Sequence, residues 1–242
     1  MGNVADGDVV GHFRLAYQAV ARFPVLIVPP LVVGIVPFGL VFLIGGAAAV
    51  MGGLMGGAVG GGAGVMMGGV VGIVLGVLVF ALVMGVLWLL SSGMVVVMAR
   101  DALAGREPIL GDALTAVLGR LGAVVGASSL VALAVWIGSL FLVIPGILAA
   151  VCLMFTLPAV LLDGLGAIDG MRRSVAVVRA HVGTVVGLVV GVLLVLVGLV
   201  IAVLILGMIP LLGGLARFVL SAAAVSYLTV VGVHFYRLLR AA

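Results

Sequence analysis

The chain has 242 residues, of which 66% are hydrophobic and 7% charged, with a mean hydropathy of +1.60. A soluble fold of that length needs far more polar surface, and uncharged apolar runs of this length mark membrane spans. The net charge of +4 is carried by arginine alone; beside apolar runs, arginines read as topology signals and not as a nucleic-acid surface.

Met1 to Asp8 has no basic residue and the first apolar run begins only at Phe23, so the N-terminus does not read as a cleavable signal. Residues 8–22 have helical periodicity, with Val9, Val10, Phe13, Tyr17 and Val20 on one face and Asp8, Arg14, Gln18 and Arg22 on the other. Such a helix lies flat in the membrane interface. Pro24 opens the first span, residues 24–45, in which Pro29, Pro30 and Pro37 should bend or break the helix.

Residues 45–72 carry thirteen glycines among twenty-eight residues, with Met and Ala and no charge. They lack the Gly-x-x-x-x-Gly-Lys pattern of a phosphate loop. Gly53 with Gly57 and Gly68 with Gly72 are small residues at helical spacing, which permits close backbone packing. A partly helical hairpin extending the first and second spans, with poor order near Gly60-Gly61-Gly62, is expected to pack against another protein or a second copy, the first pair of spans turning at Gly45-Gly46; a mobile apolar loop is the competing reading.

The second span covers residues 70–98 and ends at Arg100-Asp101. A second surface helix, 109–120, has Asp112 in its first turn, where the helix dipole favours a carboxylate. Spans three and four, 121–143 and 147–162, are joined by Pro145-Gly146, too short a link for anything but an antiparallel hairpin. A third surface helix, 167–181, has an apolar stripe of Ile168, Met171, Val175 and Val178, and Asp169 is placed to pair with Arg173 at i,i+4. Its Arg172, Arg173 and Arg179 are the candidate contacts for anionic lipid head groups. Spans five and six, 182–208 and 215–236, turn at Pro210 to Gly214, and Arg237 and Arg240 end the last one.

The expected fold is therefore all-α: a single polytopic membrane domain of six transmembrane helices, arranged as three hairpins, each preceded by an interfacial helix. Ten of the eleven arginines fall on one side of such a six-span chain, Arg217 being the exception. The positive-inside rule then puts both termini in the cytoplasm.

Val143-Ile144-Pro145-Gly146-Ile147, then Phe155-Thr156-Leu157-Pro158-Ala159-Val160, Asp163-Gly164 and Met171-Arg172-Arg173-Ser174, together resemble the bacterial six-helix membrane family related to YciC. That family is similar to the membrane domain preceding some glycerophosphodiester phosphodiesterases. The resemblance is sharpest over residues 140–185 and implies the six-helix fold and a bacterial or archaeal inner membrane. It implies little about activity. The chain is expected to carry no phosphodiesterase domain, and the Gly-Met-rich stretch departs from the family pattern.

No ionisable residue falls at mid-membrane depth in these spans, which argues against an ion-coupled transporter. His12, His181 and His234 read as separate interfacial anchors. Cys152 reads as an apolar filler. Span hydroxyls at Ser128, Ser129, Ser139, Thr156, Ser221, Ser226 and Thr229 lack a nearby base and read as interhelical hydrogen-bond donors, each contributing roughly 0.6 kcal/mol. Asp163 reads as a turn residue and Asp169 as a helix-start residue. No catalytic set, cofactor site or metal site is expected.

Three functions follow. The first is a non-enzymatic accessory, assembly or structural subunit of a membrane complex, favoured by the glycine-rich packing surface. The second is a carrier or channel for a lipid or apolar solute, which needs a continuous cavity. The third is an interfacial enzyme acting on lipid head groups, which needs catalytic residues beside the arginines.

Overall fold

The computed structural model describes residues 9–40, 46–209 and 212–241, and all regular structure among them is helical. The helices are α1 (Val9–Arg22), α2 (Val28–Leu40), α3 (Gly46–Leu103), α4 (Leu110–Leu118), α5 (Leu121–Phe141), α6 (Val143–Leu153), α7 (Thr156–Leu162), α8 (Ala167–Ala180), α9 (Val182–Gly207) and α10 (Leu212–Ala241). Five stretches are long and apolar enough to cross a membrane, namely Val65–Leu103, Leu121–Phe141, Val143–Leu162, Val182–Gly207 and Gly213–Ala241. A sixth is reached if the bent pair Val10–Arg22 and Pro24–Pro37 is one span. The chain divides into two compact units, one of residues up to Pro30 with Leu89 onward and one of Leu31–Trp88.

In the larger unit the apolar core gathers at one end of the helices. Met98 and Ala99 of α3, Val124 of α5, Phe155, Val185 and Leu188 of α9, and Phe235 and Tyr236 of α10 are buried there. Leu133 and Phe141 of α5 and Leu194 and Leu204 of α9 are exposed towards the other end. Apolar surface left open along whole helices is the pattern of lipid-facing spans.

The surface helices form close to their expected limits, but they bury different faces. In α1 the packed residues are Phe13, Ala16 and Val20, with Phe13 against Gly191 of α9, while Val10 and Tyr17 stay exposed. In α8 the buried stripe is Gly170, Ser174, Val177 and Val178, and Ile168 is exposed. Small residues decide the packed face of α8: a Cβ at Gly170 would lie 2.7 Å from Val160 Cγ2, so only glycine lets α8 approach α7 this closely.

The turn expected at Pro145-Gly146 lies earlier. Leu142, extended at φ −168° and ψ 150°, separates α5 from α6. Pro145 stands in the first turn of α6, where its missing N–H needs no intrahelical partner. Gly146 serves packing: Gly138 of α5 approaches the Pro145-Gly146 backbone so closely that a Cβ on Gly138 would meet it at 3.1 Å.

The apolar stretch Val143–Leu162 is broken between α6 and α7. Pro158 has no N–H to offer the carbonyl of Met154, and the helix restarts at Thr156. Ser174 of α8 bridges the break, accepting from the Phe155 amide at 3.1 Å and donating to the Cys152 carbonyl at 2.7 Å. Pro29 and Pro30, expected to break the first span, sit harmlessly in the first turn of α2, leaving Pro37 as the interior proline. The sharp bend falls instead at Phe23-Pro24, where the axis turns by 94°. Residues 41–45 and the turn residues 210–211 lie outside the described residues.

Within the smaller unit, α3 reverses at Gly61 (φ 58°, ψ −143°), a backbone region open to glycine. The two arms pack antiparallel. A Cβ on Gly52 would overlap the Gly68 carbonyl and lie 3.0 Å from Gly72 Cα, and one on Gly57 would lie 2.7 Å from Val65 Cγ2.

Candidate functional site

Charged side chains of the larger unit collect at the end where its core lies. Asp163 closes α7, and Gly164, at φ 72°, turns the chain into α8. The Asp163 carboxylate accepts a hydrogen bond from the Tyr236 hydroxyl on one oxygen and from Arg240 on the other. Arg173 of α8 lies near the Tyr236 hydroxyl. Arg120, just before α5, lies over the Gly164 backbone, so close that a Cβ there would stand 2.7 Å from its Nη2. Guanidinium groups from three parts of the chain thus gather about the Asp163-Gly164 turn and the Tyr236 hydroxyl.

Two further groupings lie in this unit. Asp101 accepts from Arg100 at 3.1 Å and Arg106 at 2.7 Å, and Arg237 reaches the Arg100 carbonyl at 3.4 Å. His12 Nδ1 and His234 Nε2 stand 3.1 Å apart, with the edge of Phe235 beside them. These two histidines are therefore partners and not separate anchors; 222 residues of separation hide the pairing from the sequence. His181 bonds back to the Val177 carbonyl. Among the described residues no three His, Cys, Asp or Glu side chains gather as a metal would require.

The three arginines expected to act together on α8 divide. Arg172 faces Asp169 at 3.9 Å, both well exposed, so the ion pair forms at i,i+3 and not with Arg173 at i,i+4. Arg173 turns to Tyr236. Arg179 is exposed on the same helical stripe as Arg172. Of the four glycines expected at a packing surface, Gly57, Gly68 and Gly72 lie in the seam of the α3 hairpin, while a Cβ on Gly53 would make only an ordinary contact with Val65 at 3.9 Å. Gly52, opposite Gly68 and Gly72, is the member that spacing arguments missed.

The hydroxyls also divide. Ser226 donates to the Leu26 carbonyl at 2.7 Å, joining α10 to the turn before α2. Ser139, Ser221 and Thr229 bond back to their own helices at i−4 and join nothing. Thr156 Oγ1 is buried without a hydrogen-bond partner among the described residues.

Between α1, α9 and α10 runs an open groove of 330 Å³, lined by residues including Tyr17, Val20, Leu199, Ala202, Leu220 and Tyr227. Its wall is almost wholly apolar, and the Tyr227 hydroxyl is engaged by the Phe13 carbonyl at 3.2 Å. Comparison with family models, with curated proteins and with solved structures gave no match to this chain.

Proposed function

We propose that this chain is a non-enzymatic integral membrane protein, an accessory, assembly or structural subunit of a membrane complex, whose docking element is the α3 hairpin. One observation carries the reading: within the unit Leu31–Trp88 the α3 hairpin closes on its own glycines, Gly52 against Gly68 and Gly72, and turns large apolar side chains outward. The hairpin exposes Met51, Leu54, Met55, Met66 and Met67. A contiguous exposed apolar patch marks an interaction surface, and methionine side chains adapt to irregular partners.

In this reading the chain has six spans in three hairpins, with both termini in the cytoplasm of a bacterial or archaeal cell. The reading includes the resemblance to the YciC-related family, sharpest over residues 140–185 and weaker from Phe13 to Arg120. The experiment is purification from native membranes in mild detergent. A protein co-purifying in fixed ratio supports the subunit role; recovery of the chain with lipid only overturns it.

A second reading, carriage of a lipid or apolar solute, has the groove between α1, α9 and α10 in its favour. It predicts that a bulky side chain at Ala202 or Ala223 abolishes transfer of an apolar probe between vesicles.

A further inference from the structure

The arginines around Asp163 are unequally used. Arg240 is committed to the Asp163 carboxylate. Arg120 and Arg173 are exposed and, among the described residues, neither has a carboxylate within ion-pair distance. Both nevertheless lie at the cluster, Arg120 over the Gly164 backbone and Arg173 near the Tyr236 hydroxyl. Two guanidinium groups held near one neutralised carboxylate leave a local surplus of positive charge with planar, two-pronged donors, the geometry that suits phosphate oxygens.

The position of the cluster selects the source of the phosphate. Arg120 immediately precedes the apolar stretch Leu121–Phe141, and Asp163 immediately follows Val143–Leu162. The two therefore stand at the level where these helices leave the apolar layer, the level of lipid head groups.

We infer that Arg120 and Arg173 bind the phosphodiester of one anionic phospholipid, in a site floored by the Gly164 turn and the Asp163–Tyr236–Arg240 bonds. This differs from a general attraction of the α8 arginines to the surface: Arg172 and Arg179 lie outside it, Arg172 being paired with Asp169.

The test is native mass spectrometry of protein released from vesicles of equal phosphatidylglycerol and phosphatidylcholine. Wild-type protein should retain one phosphatidylglycerol. At about 1 kcal/mol per juxtamembrane arginine, Arg120→Gln/Arg173→Gln should weaken retention about 30-fold, while Arg172→Gln/Arg179→Gln leaves it near the wild-type level. Equal loss from the two pairs, or no loss from the first, overturns the site. Displacement of the lipid by millimolar inorganic phosphate also overturns it, because the site would then be one for free phosphate. A second measurement needs no variant: phosphatidylglycerol should raise the thermal midpoint of delipidated wild-type protein more than phosphatidylcholine does, and equal effects would count against the proposal.

Discussion

Tyr236 of α10 donates its hydroxyl hydrogen to the carboxylate of Asp163, 73 residues earlier at the end of α7. The ring is fully buried against Phe155, with centroids 5.7 Å apart. One residue thus joins the last helix both to the core and to the charged end. A hydrogen bond to a charged group contributes about 1.5–3 kcal/mol, so Tyr236→Phe should lower stability by about that amount while leaving the packing intact. In a double-mutant cycle with Asp163→Asn, measured by equilibrium unfolding in bicelles, the two changes should be clearly non-additive. Additive losses would mean that the contact contributes nothing of its own.

Ser174 bridges the break between α6 and α7. Its hydroxyl meets both the Phe155 amide and the Cys152 carbonyl, and the residue is completely buried. Removing it leaves two buried backbone groups unpaired, at about 1–3 kcal/mol for each group left unsatisfied. Ser174→Ala should therefore be among the more damaging single-atom changes in the protein, whereas Ser139→Ala, whose hydroxyl only bonds back to Val135 on its own helix, should be nearly silent. Thermal unfolding in one detergent compares them directly, and equal midpoints would refute the role given to Ser174.

The six-span arrangement makes a labelling prediction. In a Cys152→Ala background, cysteines at Ala104, Ala180 and Ala241 should react with an impermeant maleimide only from the cytoplasmic side. One at Met208, exposed at the far end of α9, should react only from outside. Reaction of Ala241→Cys from outside would give an odd number of spans.

The all-helical architecture and its long apolar helices could be read from the sequence because apolar run length reports directly on helices able to cross a membrane. The limits of α1, α4 and α8 emerge from 3.6-residue periodicity flanked by arginine and glycine. Faces were harder. A stripe of large apolar residues, such as Ile168 on α8, attracts attention, but in a membrane protein lipid receives that stripe while glycine and serine meet the neighbouring helix. That inversion hid Gly170 and Ser174. It also explains why Gly52 escaped notice: its partners Gly68 and Gly72 become visible only once the chain has reversed at Gly61.

The candidate site was less legible still. Asp163-Gly164 has the local signature of a turn, and it is one. Nothing local indicates that Tyr236 and Arg240 return to it, or that His12 meets His234, because these are contacts between opposite ends of the chain. The Arg172, Arg173 and Arg179 trio looked like a unit because the residues are neighbours in sequence. On a helix Arg173 points about 100° away from Arg172, which is enough to send one to Tyr236 and leave the other beside Asp169.

The subunit role rests on what covers the α3 hairpin, and site-specific photo-cross-linking measures that directly. A benzophenone amino acid at Met55 or Met67, both exposed, is irradiated in native membranes, with the same probe at Leu204 of α9 as a lipid-facing control. The account predicts a discrete protein adduct from Met55 and Met67 and lipid adducts alone from Leu204. Lipid adducts alone from all three positions would contradict it.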